Sequence, residues 1–596
     1  MQGSKVPTLK VGRPARLLFA LLLLLPMLAL GQEKSLPSVK SFGAVCDDAT
    51  DDTAAFQRAM NAGSFHVPAA AVCYVAGHVN GVSNRVVVGP GKINRKMAYG
   101  AGNQAVFYLD GIKNFTVDGV IFLSGQLADR EAAVYLLDTG APCSDITVKN
   151  SRFENIKGIT TRDNPVHYGG VYPSAYYDSA ASQHTRIKFN DNTLINLTSG
   201  SDTHGFAAYL WFCRDVEIAR NVIKGLYGVA YLRGGDPANP KWTVNRQNAA
   251  NHIVRGNVST VQGNGVVLIG VKNAVVADNK FTAGPASGEI LDSEGGRDIT
   301  FSNNNIVGGQ TPFNTFLTNL NVVFERNFAR TAVYGGGSAG NGLYRASTGA
   351  SDPDFANSGK IVFKNNTMIS DVANAWVGPG WCNEFVFENN RLTNVTFHSN
   401  SGTRILTVRG NSFDFTVNPT FKNVIQVGAA NSKKWNAGQS GSAPEISISK
   451  NTINGRAAGI NVGALYIFAF TQAGRIDVFD NRFDVGGGTA IVLETGGGVA
   501  REIVIRNNYI RNDGGTLPFW ADAPIANDTL TWLDNVRFDG HDTMKAITGP
   551  SVTPLTVDAK AITADKSRIW DGVPGSAKKG WVFDRSAGGE WRPFGA

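Results

Sequence analysis

An alternating pattern of apolar and polar residues recurs along most of the chain from about residue 146. Its form is apolar-x-apolar-x-x-Asn-x-apolar, as in Ile187-Lys-Phe-Asn-Asp-Asn192-Thr-Leu and Ile299-Thr-Phe-Ser-Asn-Asn304-Asn-Ile. The shortest gaps between copies are about 21 to 25 residues. Strand-like alternation at this period, without helical spacing, predicts a solenoid of short strands. Further copies are centred on Asn221, Asn257, Asn279, Asn327, Asn366, Asn390, Asn411, Asn451, Asn481, Asn508 and Asn535.

The repeated asparagine has a physical role in such a solenoid. It tolerates the left-handed backbone that a sharp corner requires, and its amide can bond to the asparagine of the next coil. The apolar positions around it face inward and are buried by the coils above and below. The L-x-x-L-x-L spacing of leucine-rich repeats is missing. We therefore predict an all-β fold, a single-stranded parallel β-helix with three strands per coil and roughly a dozen coils.

Longer gaps predict loops inserted at coil corners, at residues 162–185, 234–251, 334–359 and 417–443. Insertions in solenoids gather on the functional face. The first is rich in tyrosine, including Tyr177, and the second carries Trp242. Aromatic rings on loops above a groove suit stacking on a sugar polymer, although the same rings would also pack the loops down.

The two ends of the chain differ from the repeat. Residues 1–31 combine a basic start, an apolar stretch from Leu17 to Leu30 and a small-residue cleavage site, which is typical of a secretory signal peptide. A membrane anchor is the alternative, but no later run is long enough to span a bilayer. Residues 32–540 form the predicted β-helix domain. Residues 541–596 form a linker and a small C-terminal cap or oligomerisation element containing Trp570, Trp581 and Trp591.

Charge and cysteine content narrow the compartment and the partner. The formal net charge is +8, which favours a polyanion such as an acidic polysaccharide. Nucleic acid is not expected, because no dense Lys/Arg run follows the first 31 residues. Five cysteines in an exported chain suit a disulfide, and Cys46 with Cys73 is the favoured pair. The other three are widely spaced and fit no metal pattern. We expect a secreted or periplasmic protein, as a monomer or a homotrimer.

The segment Val39-Lys-Ser-Phe-Gly-Ala-Val-Cys-Asp-Asp-Ala-Thr-Asp-Asp-Thr-Ala-Ala-Phe56 resembles the N-terminal signature of the pectate lyase superfamily, which includes polygalacturonases and phage tailspike depolymerases. The resemblance implies a right-handed parallel β-helix with an N-terminal cap at about 39–75, in which Asp51-Asp-Thr53 starts a capping helix. Cys46 replaces a usual glycine, and Cys73 falls in the implied first strand, which supports the disulfide.

The resemblance does not select a reaction, because this scaffold hosts lyases, hydrolases, epimerases and non-enzymes. The polygalacturonase motifs Asn-Thr-Asp, Asp-Asp, Gly-His-Gly and Arg-Ile-Lys are not present as a set. The Arg-x-Pro-x-x-Arg of calcium-dependent pectate lyases is missing. No dense aspartate cluster predicts a Ca²⁺ site. We expect no metal for a hydrolase, and Ca²⁺ only for a lyase.

Three acids in Gly288-Glu-Ile-Leu-Asp-Ser-Glu-Gly-Gly296 are the candidate chemistry. Aligned on its glycine, this stretch matches Gly265-Val-Val-Leu-Ile and Gly228-Val-Ala-Tyr-Leu of the two preceding coils, so acids replace apolar residues at one level. Asp292 and Glu294 are two apart, hence on one face of a strand. Carboxyl groups held together push their pKa values apart, as glycoside hydrolysis requires. Glu289 is the third candidate, and a solvated turn is the structural alternative.

Neighbouring coils supply the remaining candidates. We place Tyr231 and Arg233 one coil back, followed by Asp236. Two coils back, Asp202 and His204 lead into Trp211. Arg233 would bind a substrate carboxylate, and His204 would act as a base or a donor; both also have ordinary structural explanations. Asp202 and Asp236 are reserve acids.

Three functions remain open on these residues. Hydrolysis of a polysaccharide is favoured by the acids, and β-elimination on a uronate by Arg233 with His204 or Tyr231. A C5 epimerase shares the proton abstraction of the lyase. A non-catalytic polysaccharide-binding β-helix is the non-enzyme alternative. We expect a polysaccharide-degrading enzyme acting by carboxylate-based hydrolysis.

Overall fold

The computed structural model describes most of the chain between residues 36 and 593. The described residues are 36–96, 104–125, 131–137, 141–161, 183–195, 205–234, 249–284, 287–316, 319–331, 342–347, 359–372, 375–379, 382–399, 403–419, 423–428, 444–456, 462–468, 473–486, 490–494, 502–512, 519–521, 530–533, 535–538, 568–571, 579–584 and 590–593.

Three strands form each coil, and strands of successive coils pair in parallel. A coil runs through sheet A, then sheet B, then sheet C, which sheet D replaces in the later coils. Sheet B has 18 strands, so the coils are more numerous than the predicted dozen. The predicted right-handed parallel β-helix is confirmed.

The strands of sheet A are Phe65–His66, Arg85–Val88, Lys113–Asp118, Ser144–Lys149, His184–Asn190, Cys213–Ala219, Ala250–Arg255, Lys272–Ala277, Arg297–Ser302, Leu320–Glu325, Lys360–Lys364, Cys382–Glu388, Thr403–Arg409, Glu445–Ser449, Arg475–Phe479, Glu502–Arg506 and Leu530–Leu533. The strands of sheet B are Asp47–Asp51, Val72–Tyr74, Lys92–Asn94, Ile121–Leu123, Arg152–Glu154, Thr193–Ile195, Val222–Leu226, Val258–Val261, Lys280–Ala283, Asn305–Gly308, Phe328–Thr331, Thr367–Ser370, Arg391–Thr393, Ser412–Asp414, Thr452–Gly455, Arg482–Val485, Tyr509–Asn512 and Val536–Phe538.

The strands of sheet C are Val79–Asn80, Gln104–Asp110, Glu131–Leu137, Lys157–Thr161, Phe206–Trp211, Gly228–Arg233, Val266–Ile269, Glu289–Glu294, Thr311–Phe316 and Tyr344–Ser347. The strands of sheet D are Ala375–Val377, Val395–Ser399, Asn423–Gly428, Gly463–Phe468, Ile491–Glu494 and Phe519–Ala521. Two of these strands, Tyr344–Ser347 and Asn423–Gly428, lie inside segments that the gap lengths predicted to be insertions.

The repeated asparagines form a continuous buried ladder at the corner between sheets A and B. For example, the Oδ1 of Asn279 accepts from the backbone N of Asn257 at 3.0 Å and from its Nδ2 at 2.8 Å. The predicted bond to the next coil is therefore confirmed. The predicted left-handed backbone is wrong for the asparagines themselves. It belongs to the residue before the asparagine wherever that residue is described, such as Asp278 (φ 58°) before Asn279, because that residue makes the corner.

The N-terminal cap covers the first coil. Its helices are a 3₁₀-helix at Val39–Phe42 and an α-helix at Thr53–Ala62. Asp51 accepts from the backbone N of Thr53 at 3.0 Å and so satisfies a donor at the start of the α-helix. The predicted disulfide between Cys46 and Cys73 is confirmed. Cys143, Cys213 and Cys382 are buried thiols.

The C-terminal segment has a different architecture from the coils. Strands Arg568–Asp571, Lys579–Asp584 and Glu590–Pro593 form a small antiparallel sheet. In the described part of the chain, no helix combines the length and apolarity needed to cross a bilayer.

Candidate active site

The three acids lie on one strand of sheet C, Glu289–Glu294, here called the acidic strand. Leu291 belongs to the main core, and Ser293 donates to Asn319 Oδ1 at 2.7 Å. Asp292 and Glu294 alternate with these residues, so they share one face of the strand, as predicted, and that face is the outer one. Asp292 is nevertheless only 1% exposed, while Glu289 and Glu294 are half-buried.

The register of sheet C corrects the glycine-based alignment. Asp292 lies beside Val267, not Ile269, and Glu294 lies beside Ile269. The alignment was two residues out because the glycines before these strands occupy different points of the corner. Tyr231 and Arg233 lie level with Val267 and Ile269 one strand further away. They are therefore two strands from the acids, rather than one coil.

An aromatic and apolar cluster covers the outer face beside the acids, separate from the main core. The rings of Tyr209 and Tyr231 stack at 4.6 Å between centroids. The Arg233 guanidinium lies 4.4 Å from the centre of the Trp211 ring, and its Nη1 donates to the Tyr231 hydroxyl at 3.2 Å. Three predicted substrate-binding residues, Tyr231, Arg233 and Trp211, are thus brought together. The cluster comprises Phe206, Tyr209, Trp211, Phe212, Val267 and Ile269, with Tyr227 and Tyr231 packed against it.

Asp292 favours its protonated form. Burial is the largest cause that holds its pKa well above the ordinary value, followed by the negative charges of Glu294 and Glu289. The protonated Asp292 hydrogen-bonds with Glu294, which stabilises the Asp292 proton. A buried acid that keeps its proton to a higher pH than an exposed acid has the property that a general acid needs.

Glu294 is the more readily ionised partner of this pair. Burial raises its pKa, but the hydrogen bond from Asp292 and the positive charge of Arg233 act in the opposite direction. Arg233 therefore acts electrostatically on Glu294 across the intervening strand. Tyr227 also lies within the field of the site, since burial and the charges of Glu289 and Asp292 raise the pKa of its hydroxyl.

Asn314 is a site residue that the sequence did not reveal. It lies beside Asp292 on the next strand, Thr311–Phe316. Its Nδ2 donates to Asp292 Oδ1 at 2.6 Å. Nothing in Thr-Pro-Phe-Asn-Thr-Phe distinguishes this asparagine from the many ladder asparagines; only the register of the strands does so.

Five predicted site residues lie outside the described residues: Tyr177, Asp202, His204, Asp236 and Trp242. The described strands do locate two of the predicted insertions. Residues 162–182 and 235–248 connect sheet C strands to sheet A strands. They therefore start beyond the ends of strands of sheet C, the sheet that carries the acids.

The acids do not form a compact ligand set for a metal. Glu289, Asp292 and Glu294 do not bring one oxygen each within 4.8 Å of one another. Among the described residues, Cys46, Asp52 and Cys73 do meet that distance, but the disulfide uses both sulfur atoms.

No protein-family model matches the chain, and no curated protein sequence matches it. Several solved β-helix structures are similar to it. The tailspike of Pseudomonas phage phi297 is 12% identical, with a TM-score of 0.42, covering 74% of this chain and 82% of that one. The tailspike of E. coli bacteriophage HK620, solved with a pentasaccharide, is 12% identical, with a TM-score of 0.40 and coverage of 74% and 79%. The Streptococcus pneumoniae surface adhesin PfbA is 13% identical, with a TM-score of 0.34 and coverage of 66% and 93%. The similarity is one of architecture and assigns no activity to this chain.

Proposed function

We propose that the protein hydrolyses glycosidic bonds of a polysaccharide, with Asp292 and Glu294 as the working carboxyl groups. The observation that carries the proposal is the outward-facing pair of acids on one strand, in which Asp292 is buried with a raised pKa and Glu294 is half-buried. Structural acids on a solenoid surface have no need of this arrangement, because water or a cation is at hand.

The roles follow from the protonation states. Asp292 donates its proton to the glycosidic oxygen as the bond to the anomeric carbon breaks. Glu294, whose charge Arg233 favours, is the second carboxylate. It either takes a proton from the attacking water or bonds to the anomeric carbon before water releases the sugar. Inversion at the anomeric carbon identifies the first role and retention the second. The negative charge of Glu289 raises the pKa of Asp292 and so helps to keep Asp292 protonated.

Arg233 is the reason to place hydrolysis ahead of elimination. A lyase needs a cation to neutralise a uronate carboxylate, yet Arg233 already stacks on Trp211 and donates to Tyr231. The same contact with Tyr231 is the observation that favours β-elimination as the second candidate, since it places a cation beside a hydroxyl group of the kind that takes the C5 proton in elimination. A C5 epimerase would use the same proton abstraction.

The polymer and the compartment are parts of the same proposal. The net charge of +8 supports attraction to an acidic exopolysaccharide over long distances. The first 31 residues support export, to the periplasm or beyond the cell. The proposal includes a homotrimer as the oligomeric state, although none of the residues that carry the proposal requires one. A non-catalytic binder is the competing function.

The test is to incubate the purified protein with a panel of acidic exopolysaccharides and assay new chain ends. We expect new reducing ends without the ultraviolet absorbance of an unsaturated uronate. Asp292→Asn and Glu294→Gln should each lower the rate by about 10²- to 10⁴-fold. The matched control is Glu217→Gln on sheet A, which should retain full activity. Absorbance from a double bond would select the lyase. Cleavage undiminished in both site variants would overturn the proposal.

A further inference from the structure

Asn314 is the polar side chain in closest described contact with Asp292. Its Nδ2 donates to Asp292 Oδ1 at 2.6 Å, a short and well-formed bond to a carboxyl group. The Oδ1 of the same amide is buried and has no hydrogen-bond partner, and the residue as a whole is 4% exposed. A buried amide oxygen without a partner costs free energy in the folded protein. It therefore requires an explanation in a strand that is otherwise regularly paired.

We propose that Asn314 is a positioning residue that directs the Asp292 proton to Oδ2, and that its carbonyl oxygen receives a hydroxyl or amide N–H of the bound sugar. This inference rests on the proposed function only in its second half. The first half concerns the carboxyl pair, whatever reaction it serves.

The hydrogen-bond geometry supports the first half. Since Asp292 Oδ1 accepts from Asn314, that oxygen cannot also carry the proton in the same direction. The proton is then left on Oδ2, the other oxygen of the carboxyl group. Asp292 forms a second hydrogen bond with Glu294. An acid whose proton has one fixed location is prepared for transfer to a substrate oxygen placed there.

The remaining charged and titratable groups act on the pair without replacing Asn314. On the acidic strand, Glu289 and Glu294 act on Asp292. Arg233, at the end of the strand Gly228–Arg233, acts on Glu294, and Tyr227 lies just before that strand. Val267, on the strand between, offers no polar group. Among the side chains that act on Asp292, Asn314 is the one that opposes its protonation by a hydrogen bond, so its removal has a predictable sign.

The unpartnered carbonyl carries the second half. Asn314 Oδ1 and the carboxylate oxygens of Glu289 and Glu294 are acceptors, so this part of the site suits a sugar that presents donors. Hydroxyl and acetamido N–H groups are such donors, whereas a uronate carboxylate here would meet the carboxylates of Glu289 and Glu294 and the acceptor oxygen of Asn314. An acidic polymer would therefore place its carboxylates away from this point.

The decisive experiment follows the carbonyl stretch of protonated carboxyl groups by infrared spectroscopy across a pH titration. Asp292→Asn and Glu294→Gln identify the bands of the pair. In Asn314→Leu, which removes the donor at similar volume, the proton should be released about 1 to 2 pH units higher than in the wild type. A downward shift would mean that the amide accepts the Asp292 proton, and an unchanged midpoint would mean that the contact is only structural; either overturns the proposal.

Asn321→Leu is the matched control. Asn321 donates to Asp298 across neighbouring strands at 2.9 Å, in the same donor–acceptor arrangement but at the surface. Its loss should leave the infrared titration of the buried pair unchanged. If Asn314→Leu folds poorly, judged by its circular dichroism and melting temperature, Asn314→Ala gives the same reading, since it also removes the donor.

Kinetics test the second half separately. On a polysaccharide that the wild type cleaves, Asn314→Leu should raise KM about tenfold, because a hydrogen bond to the sugar is lost. An unchanged KM would overturn the role of the carbonyl. If the wild type cleaves no polymer, the proposed function fails, and the infrared result still decides where the proton lies.

Discussion

Acids on two faces of the same coils have pKa values that are shifted in opposite directions. On the outer face and corners of sheet A, several acids have a cation on a neighbouring strand. Glu217 accepts from Arg255 at 2.8 Å, and Asp191 accepts from Arg220 at 2.7 Å. These hydrogen bonds are the largest cause of the lowered pKa values of both acids. On sheet C, the neighbours of Asp292 and Glu294 on the preceding strand are Val267 and Ile269, and both pKa values are raised.

The coil itself therefore does not determine the protonation state of an acid. The spacing between strands is the same on both faces, and side chains at equivalent levels lie equally close. What differs is whether an adjacent strand brings a cation to the acid, together with the burial. A cation there makes a structural ion pair, whereas apolar residues there make an acid that holds its proton.

The two faces therefore respond to pH with opposite signs. A lowered pKa, as at Glu217, means that the pair stabilises the fold above the unfolded pKa of about 4.3 and that this contribution is lost as pH falls. A raised pKa, as at Asp292, means stability that is complete below the unfolded value and declines as pH rises through the folded one.

The largest expected effect on stability is that of a histidine on the inner side of sheet A. It must be distinguished from the effect of the ion pairs on the surface of that sheet. Burial lowers the pKa of His252 from 6.5 to about 3, so the unfolded chain takes up a proton that the folded chain refuses. This histidine should cost stability progressively below pH 6.5, by about 4 to 5 kcal/mol near pH 3. We expect His252→Val to raise the free energy of unfolding in urea at about pH 4.5 by roughly 2 to 3 kcal/mol more than at neutral pH.

The neighbours of His252 make valine the natural replacement. It lies beside Ala274 on the next strand, and it occupies an inward position of sheet A. The charges of Asp215 and Arg214 act on it in opposite directions. Equal changes in unfolding free energy at the two pH values would show that the histidine does not titrate in this window. The loss of stability in acid would then be due to the surface ion pairs.

The second prediction transfers the arrangement of sheet A to the site. Ile269 lies beside Glu294 on the preceding strand, so Ile269→Lys places a cation level with Glu294, as Lys188 on the preceding strand lies level with Glu217. The proton of the Asp292–Glu294 pair should then be lost about 1 to 3 pH units lower. The infrared titration measures this shift directly, and the alkaline limb of any pH–rate profile should move with it.

Ile253→Lys provides the control for an added lysine. Ile253 is 40% exposed on the outer face of sheet A, beside Glu217, which already has Arg255. The titration of the buried pair should not change in this variant. If Ile269→Lys also leaves it unchanged, the apolar neighbour is not what keeps the pair protonated, and the contrast between the faces fails.

The fold could be predicted from the sequence because its signal is repeated. Asn192 to Asn535 recur at coil spacing, each with flanking apolar residues, and the ladder they form depends on that local pattern alone. The shared strand face of Asp292 and Glu294 followed from their separation of two residues. These features need no knowledge of which coil lies beside which residue.

The rest of the site depends on register, which local sequence does not specify. Gly265 and Gly288 were matched as equivalent, although the corners before their strands differ by two residues in level. Asn314 became visible only when the strand Thr311–Phe316 was placed beside Asp292. The burial of Asp292 could not be predicted either, because it depends on neighbours that are distant in the sequence.

The smallest expected effect is that of an ordinary surface pair, and it sets the scale for the others. Arg255→Met keeps the apolar stem but removes the cation from Glu217. Exposed ion pairs contribute less than about 1 kcal/mol and are screened by salt. We expect the urea unfolding free energy at neutral pH to fall by about 0.3 to 0.8 kcal/mol at low ionic strength, and by less at about 1 M salt. Catalytic activity should be retained, because Glu217 lies on sheet A, away from the acidic strand. A loss of several kcal/mol, or one independent of salt, would mean that sheet A also relies on desolvated charge, and the acids of the two faces would then differ in degree rather than in kind.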